Sequence, residues 1–173
     1  AVIVVDGDDL LCFPEYIAVM HASRILNRPV KWTATRSESF LSDSQGRDHV
    51  TEASLALDSE GNFLGVQVDT VAAVGAYLSQ YGIFIPTLAG AGMHVGVYKI
   101  PVLNNKVKVV YTNTVPVDAY RGAGRPEASY VIERLVDQAA SDLGMDPIEI
   151  RTKNFVQPAD LGQTAEPIIS FDS

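Results

Sequence analysis

The residues best suited to ligand chemistry form a bend between Arg121 and Arg125, with the sequence Arg-Gly-Ala-Gly-Arg, immediately before a strongly patterned helix. Glycine lets the backbone approach a ligand closely, and a helix start presents free N–H groups to an anionic or electron-rich ligand. The pattern therefore predicts a cofactor-facing loop. A structural interpretation stays open at this point: the arginines pair with Asp118 or another acid, and the glycines only turn the chain.

Other local signatures of catalysis or metal binding are absent from the sequence. The bend lacks the Gly-Lys-Ser/Thr of a phosphate-binding loop and the third glycine of a dinucleotide fingerprint. His21, His49 and His94 lie in separate segments, which gives no support to a Ser-His-Asp hydrolase or a metal site. Cys12 is the single cysteine, so no disulfide or cysteine-built cluster can form within the chain. We predict no catalytic residue and no metal ligand here.

The helix after the bend can be predicted from single residues. Pro126 suits the first helical position, and Glu127 adds negative charge near the positive helix end. Gly144 is the expected C-cap, after which Asp146 and Pro147 begin a short second helix that ends at residue 151 or 153. Apolar residues recur three or four positions apart and predict one buried face: Ala128, Val131, Ile132, Leu135, Ala139 and Leu143.

The first half of the chain predicts a crossover unit followed by a polar loop. A β-branched run at residues 2–5 indicates a buried strand, and a helix is expected from Pro14 to about Leu26. Residues 30–35 are a plausible second strand, so strand, helix and strand follow in order. Residues 36–48 are polar and predict a surface loop with a short helical turn at 38–41.

The second half predicts an antiparallel hairpin and a further strand. Residues 50–57 and 63–74 are extended segments joined by the turn sequence at 58–62. Residues 78–97 carry little charge and many glycines, which fits either a mobile ligand-facing segment or a buried irregular connection. An alternating strand at 106–111 leads into the bend. The predicted class is α+β, with a mostly antiparallel sheet covered by helices.

Composition limits the partners and the location of the protein. Thirteen basic and 21 acidic side chains give a formal charge of −8, which disfavours a nucleic-acid partner. No apolar run is long enough to span a bilayer, and no signal peptide is recognisable, so we expect a soluble protein. Strand-like sequence at both ends predicts one partial domain, 1–173, cut from a longer polypeptide, with residues 156–173 starting a connection to a following domain.

Several ordered motifs resemble the large, molybdopterin-binding subunit of the xanthine dehydrogenase and aldehyde oxidase family. The likeness is densest at residues 118–128, 131–137 and 143–155, and it is closest to the branch labelled carbon monoxide dehydrogenase-like. Shorter motifs upstream fit the same subunit in the same order: residues 13–16, 28–32, 35–38, 75–77 and 112–113. The resemblance implies that the chain is part of the first molybdopterin-binding domain, in a cytoplasmic or periplasmic complex.

The family resemblance implies a cofactor, a reaction and partners. Members hold molybdenum through the dithiolene of a pterin, in some cases as the cytosine dinucleotide form, and transfer water-derived oxygen to an aldehyde or heterocycle. Electrons leave through iron–sulfur clusters to FAD on partner subunits or domains. The resemblance places five residues of this chain on the loop that passes the molybdenum centre: Tyr120, Arg121, Gly122, Ala123 and Gly124.

Departures from the family pattern narrow the expected substrate. Gly122 stands where carbon monoxide dehydrogenases carry a copper-bridging cysteine, and Ala123 stands where xanthine dehydrogenases carry a substrate-stacking phenylalanine. Residues 87–91 contain no counterpart of the xanthine dehydrogenase substrate arginine, so an aldehyde or N-heterocycle is expected. Residues 6–12 lack the family's Gly-Gly-x-Phe-Gly loop. The alternative is a non-catalytic remnant or assembly module that keeps the fold without the cofactor.

Overall fold

A computed structural model describes residues 14–160, which divide into two compact units between Ser44 and Gln45. The strand predicted at residues 2–5, the departure at residues 6–12 and the connection predicted beyond residue 160 lie outside the described residues. None of the helices in residues 14–160 combines the length and the apolar character that a membrane crossing requires.

The first unit contains two helices, α1 (Pro14–Leu26) and α2 (Arg36–Ser42). The predicted extent of α1 is confirmed, and the predicted helical turn is a longer helix that begins with a capping box. The Thr35 N–H donates to Oε2 of Glu38 at 2.7 Å, and the Glu38 N–H donates to Oγ1 of Thr35 at 3.3 Å. These two bonds satisfy N–H groups that a helix start otherwise leaves without partners.

The predicted strand at residues 30–35 is wrong, because this segment has no regular secondary structure and pairs with no strand within residues 14–160. Its last residue, Thr35, is extended but serves as the N-cap of α2. The β-branched and aromatic residues that suggested a strand report side-chain preference, whereas a strand also needs a neighbouring strand to receive its hydrogen bonds. The predicted crossover unit is therefore absent from the described residues.

The second unit is built on a three-stranded sheet with the order β1 (His49–Leu57), β2 (Phe63–Ala73) and β3 (Leu103–Val110). The predicted hairpin is confirmed: β1 and β2 are antiparallel. In their turn, Oδ1 of Asp58 accepts from the N–H of Asn62 at 2.9 Å. The third strand is parallel to β2, so the sheet combines one antiparallel and one parallel ladder. The α+β class is confirmed.

Helix α3 (Arg125–Leu143) packs its inner face on the core that covers the sheet, and α4 (Pro147–Asn154) follows. Gly144 ends α3 in a left-handed conformation, with φ of 65°, as its predicted C-cap role requires. The buried face lies slightly to one side of the predicted one, since Leu143 is 38% exposed. Its buried members are Ala128, Ile132, Val136, Ala139 and Ala140.

Candidate functional site

The bend lies between the end of β3 and the start of α3, and residues 74–76, which directly follow β2, hold the segment that leads into it. The Thr112 N–H donates to the carbonyl of Gly75 at 3.0 Å, and the Ala76 N–H donates to the carbonyl of Thr114 at 3.0 Å. Further along, the Val117 N–H donates to the carbonyl of Val74 at 3.2 Å. Backbone pairing therefore places the bend at the end of the sheet.

Three consecutive residues of the bend are left-handed: Gly122, Ala123 and Gly124 have φ of 93°, 43° and 87°. The two glycines are required by both conformation and space. A Cβ on Gly122 would lie 2.5 Å from Cγ of Pro126, and a Cβ on Gly124 would lie 2.4 Å from the carbonyl oxygen of Ile85. Ala123 is not a glycine, so its backbone is strained, and such strain persists only where the surroundings fix it.

The five predicted site residues lie together in one loop but differ in exposure. Tyr120 is 63% exposed, Arg121 and Gly122 are exposed, Ala123 is half-buried and Gly124 is buried. The loop therefore presents its first three residues outward, while Gly124 provides the close packing that anchors it. Whether these five residues contact a cofactor stays a prediction.

Asp118 does not pair with the arginines of the bend. Its carboxylate accepts from the Ser79 hydroxyl and, at 2.6 Å, from the Ala119 N–H. Asp118 is buried, so these bonds fix the chain immediately before the loop. The structural interpretation allowed Asp118 or another acid as the partner of the arginines, and the carboxylate of Asp118 accepts from Ser79 and Ala119 instead.

The low-charge segment at residues 78–97 packs directly against the loop. It forms a π-helical turn (Ile85–Ala89) and a 3-10 turn (Ala91–Met93). A Cβ on Gly90 would lie 3.2 Å from the carbonyl oxygen of Gly124, so the two backbones are nearly in contact. Ile85, Pro86 and Ala91 are buried, whereas Phe84 and Leu88 are 53% and 62% exposed, so the segment packs on one side and both predicted interpretations stay open.

Arg47 contacts the loop and was not identified from the sequence. Its guanidinium donates through Nη2 to the carbonyl of Arg121 at 2.7 Å and lies 4.6 Å from the centre of the Tyr120 ring. Nε of Arg47 is 3.5 Å from Oε1 of Glu127 in the first turn of α3. Arg47 is 74 positions from Arg121, so spacing in the sequence gave no sign of this contact.

A small polar cavity of about 20 Å³ lies beneath the loop. Two histidines, two threonines and a carboxylate supply its polar lining: His49, Thr51, Thr70, His94 and Glu127. Oε2 of Glu127 is buried and has no hydrogen-bond partner among the described residues. A polar cavity of this size can hold a single water molecule, which would satisfy that oxygen. Sequence reasoning missed the cavity because its histidines come from separate segments.

Acid is expected to destabilise this region because both histidines have lowered pKa values. Burial lowers the pKa of His94 below its ordinary value of 6.5, and burial also lowers that of His49, against the opposing charges of Glu127 and Asp48. The unfolded chain binds protons on these two histidines more tightly than the folded chain does. The neutral histidines therefore contribute fully to the free energy of unfolding above about pH 6.5, and this contribution is lost as the pH falls below that value. Hydrogen exchange of β1 amides between pH 5 and 8 measures the loss.

Glutamine substitutions provide the control for this pH dependence. His49→Gln and His94→Gln should each flatten the decline in the opening free energy, because glutamine does not titrate. Hydrogen exchange must first be corrected for the intrinsic effect of pH on amide chemistry. A decline that is equally steep in both variants would assign it to other groups.

Within residues 14–160, no group of three or more His, Cys, Asp or Glu side chains is placed to hold a metal ion.

Comparison with known proteins gives consistent matches. The family profile described as molybdopterin cofactor-binding domain matches residues 10–155. The gamma subunit of the 6-hydroxypseudooxynicotine dehydrogenase complex of Paenarthrobacter nicotinovorans is 36% identical to this chain, over 88% of this chain and 19% of its own length. The carbon monoxide dehydrogenase large chain of Hydrogenophaga pseudoflava is 38% identical over 96% of this chain and 21% of its own.

A solved structure has the same fold. Quinoline 2-oxidoreductase from Pseudomonas putida 86 matches with a TM-score of 0.82 and 36% identity, over 87% of this chain and 19% of that chain. The chain thus spans about a fifth of the length of the proteins it matches.

Proposed function

Because this chain belongs to the molybdopterin cofactor-binding domain family, we propose that it is a segment of a molybdenum hydroxylase large subunit. The resemblance to the xanthine dehydrogenase and aldehyde oxidase family that the sequence motifs indicated is confirmed. The proposed whole enzyme hydroxylates an aldehyde or N-heterocycle with oxygen from water and passes the two electrons to iron–sulfur and flavin partners. In that enzyme the pterin-bound molybdenum would supply the oxygen transfer and accept the electrons.

One observation carries the proposal: the loop at Tyr120–Gly124 fits a group that approaches the backbone closely. Tyr120, Arg121 and Gly122 are exposed, and the three successive left-handed residues Gly122, Ala123 and Gly124 turn the backbone sharply at this point. Tyr120, Arg121 and Gly122 would therefore hold the cofactor from this side, with Arg121 stabilising negative charge on the cofactor or substrate. Ala123 and Gly124 would set the loop's shape.

The proposed substrate class is an N-heterocycle or an aldehyde. Two of the matched proteins are named for nitrogen-containing compounds, 6-hydroxypseudooxynicotine and quinoline. Gly122 offers no thiol to bridge a second metal as in carbon monoxide dehydrogenases, and Ala123 leaves space where xanthine dehydrogenases place a phenylalanine. These two small residues favour a ring system other than a purine, or an aldehyde, as the substrate.

Elemental analysis tests the cofactor. The native polypeptide that carries this segment should be purified from its source with its copurifying proteins and measured for molybdenum and released pterin. Metal stoichiometric with the chain is the expected result, and the form of the pterin identifies whether a cytosine dinucleotide is present. A folded native polypeptide without molybdenum or pterin would instead support the non-catalytic remnant.

Replacing Arg121 by alanine is expected to lower kcat/KM of the molybdenum-loaded enzyme by about 10²- to 10³-fold, as when one preorganised donor is lost from a charged site. A panel containing quinoline, other N-heterocycles and benzaldehyde supplies the assay. The matched control is Arg134→Ala, because Arg134 is a 65% exposed arginine in a surface ion pair on α3. Equal activity of the two variants at equal metal content would refute the role of Arg121.

A further inference from the structure

We propose that Arg47 is a positioning residue that fixes the backbone of Tyr120 and Arg121 at the start of the loop. One guanidinium group makes three contacts here: the Arg121 carbonyl at 2.7 Å, the Tyr120 ring at 4.6 Å and Oε1 of Glu127 at 3.5 Å. The catalytic consequence rests on the proposed function. The contact itself can be tested without it.

The loop needs support from neighbouring groups because its backbone is strained. The Ala123 N–H donates to the Tyr120 carbonyl at 2.7 Å, and the Arg125 N–H donates to the Gly122 carbonyl at 3.2 Å. Both bonds span short turns, and Ala123 is left-handed without being a glycine. Such a conformation is retained only where neighbouring groups determine it, and Arg47 supplies a contact on the side where the loop is exposed.

Arg47 is itself held in place by the backbone around it. The Gln45 N–H donates to the Pro116 carbonyl at 3.0 Å, and the Asp118 N–H donates to the Gln45 carbonyl at 2.9 Å. Gly46 lies so close to Tyr120 that an added Cβ would be 2.9 Å from the Tyr120 Cβ. Arg47, the residue after Gly46, is left-handed, with φ of 64°. The backbone contacts of Gln45 and Gly46 thus position the Arg47 guanidinium next to the loop.

Arginine chemistry matters more here than positive charge. The Arg47 side chain is 40% exposed, and an ion pair at that exposure with Nε 3.5 Å from Glu127 contributes little by itself. A planar guanidinium can lie over an aromatic ring while donating in its own plane to a carbonyl, and a lysine ammonium cannot make both contacts with the same geometry. The arrangement therefore predicts that lysine at position 47 will not replace arginine.

Hydrogen exchange of the native polypeptide carrying this segment tests the contact directly. In Arg47→Ala, the amides of Ala123 and Arg125 are expected to exchange about tenfold faster, since a charge-assisted hydrogen bond to the loop is lost. Arg47→Lys should behave like the alanine variant, while Arg134→Ala should match the wild type. Amides of β1 and β2 should be unchanged in all three variants. Wild-type exchange in Arg47→Ala, or full restoration by lysine, would overturn the proposal.

Activity separates a positioning role from a purely structural one. With aldehydes or N-heterocycles that the wild-type enzyme oxidises, Arg47→Ala should lower kcat about tenfold or more and leave KM within a factor of about two. Molybdenum content of the variant is measured in parallel, so that kcat is expressed per metal. Unchanged kcat per metal despite faster loop exchange would overturn the catalytic consequence. Absence of molybdenum from the wild type would refute the proposed function, while loop exchange would still decide the Arg47 contact.

Discussion

Gly124→Ala is expected to displace the loop and to cause the loss of any cofactor that the loop holds. Gly124 has φ of 87°, and its new Cβ would lie 2.4 Å from the Ile85 carbonyl oxygen and 3.0 Å from the Gly90 nitrogen. Both neighbours are backbone atoms, so no side-chain rotation relieves the clash. The left-handed conformation alone costs about 1–2 kcal/mol, and the clash brings the total to roughly 3–5 kcal/mol. Hydrogen exchange at residues 85–96 and 120–130 measures the loss.

Gly144→Ala is the matched control for this prediction. Gly144 is also left-handed, with φ of 65°, but a Cβ there would have no neighbour within 4 Å. The control therefore measures the conformational term without the steric term, and we expect it to cost about 1 kcal/mol and to leave the loop and its molybdenum content unchanged. Equal effects of the two variants would show that close packing between residues 90 and 124 is unimportant.

The loop and α3 were predictable from sequence because their determinants are local. Gly122 and Gly124 permit left-handed backbone, Pro126 occupies the first turn, and Gly144 closes the helix, all within one short stretch. The hairpin followed for the same reason, since Asp58 and Gly61 specify its turn. Each of these features depends on backbone preferences that neighbouring residues express without the rest of the fold.

The environment of the loop could not be predicted because it depends on distant residues. Arg47 reaches Arg121 only because a backbone bridge pairs Gln45 with Val117. The cavity brings His49 from β1 together with His94 from the irregular connection. The same limitation explains the incorrect strand at residues 30–35. Side-chain preference was visible in the sequence, but whether another segment lies alongside as a partner depends on the fold. Motif resemblance identified the family, but these contacts came from the fold.

Asn154→Ala is expected to weaken the attachment of α4 to the hairpin by about 2–5 kcal/mol, because it removes the side-chain partner of the buried Phe63 N–H and of the buried Gly61 carbonyl. Oδ1 of Asn154 accepts from the Phe63 N–H at 2.9 Å, and Nδ2 donates to the carbonyls of Gly61 and Ile150, both at 2.8 Å. Phe63 and Gly61 are buried, so water does not replace the lost bonds. The opening free energy from native-state exchange of the Phe63 amide reports the change.

Two other asparagines make the Asn154 prediction discriminating. Asn105 on β3 is 1% exposed, yet neither Oδ1 nor Nδ2 has a partner among the described residues. Its unpaired amide lowers stability, so Asn105→Val should raise the opening free energy of β3 amides by about 1–3 kcal/mol. Asn104 is exposed, and Asn104→Ala should change little. The effect of removing a buried side-chain amide on stability therefore depends on the hydrogen bonds that the amide makes. Destabilisation of similar size by Asn105→Val and Asn154→Ala would contradict this account.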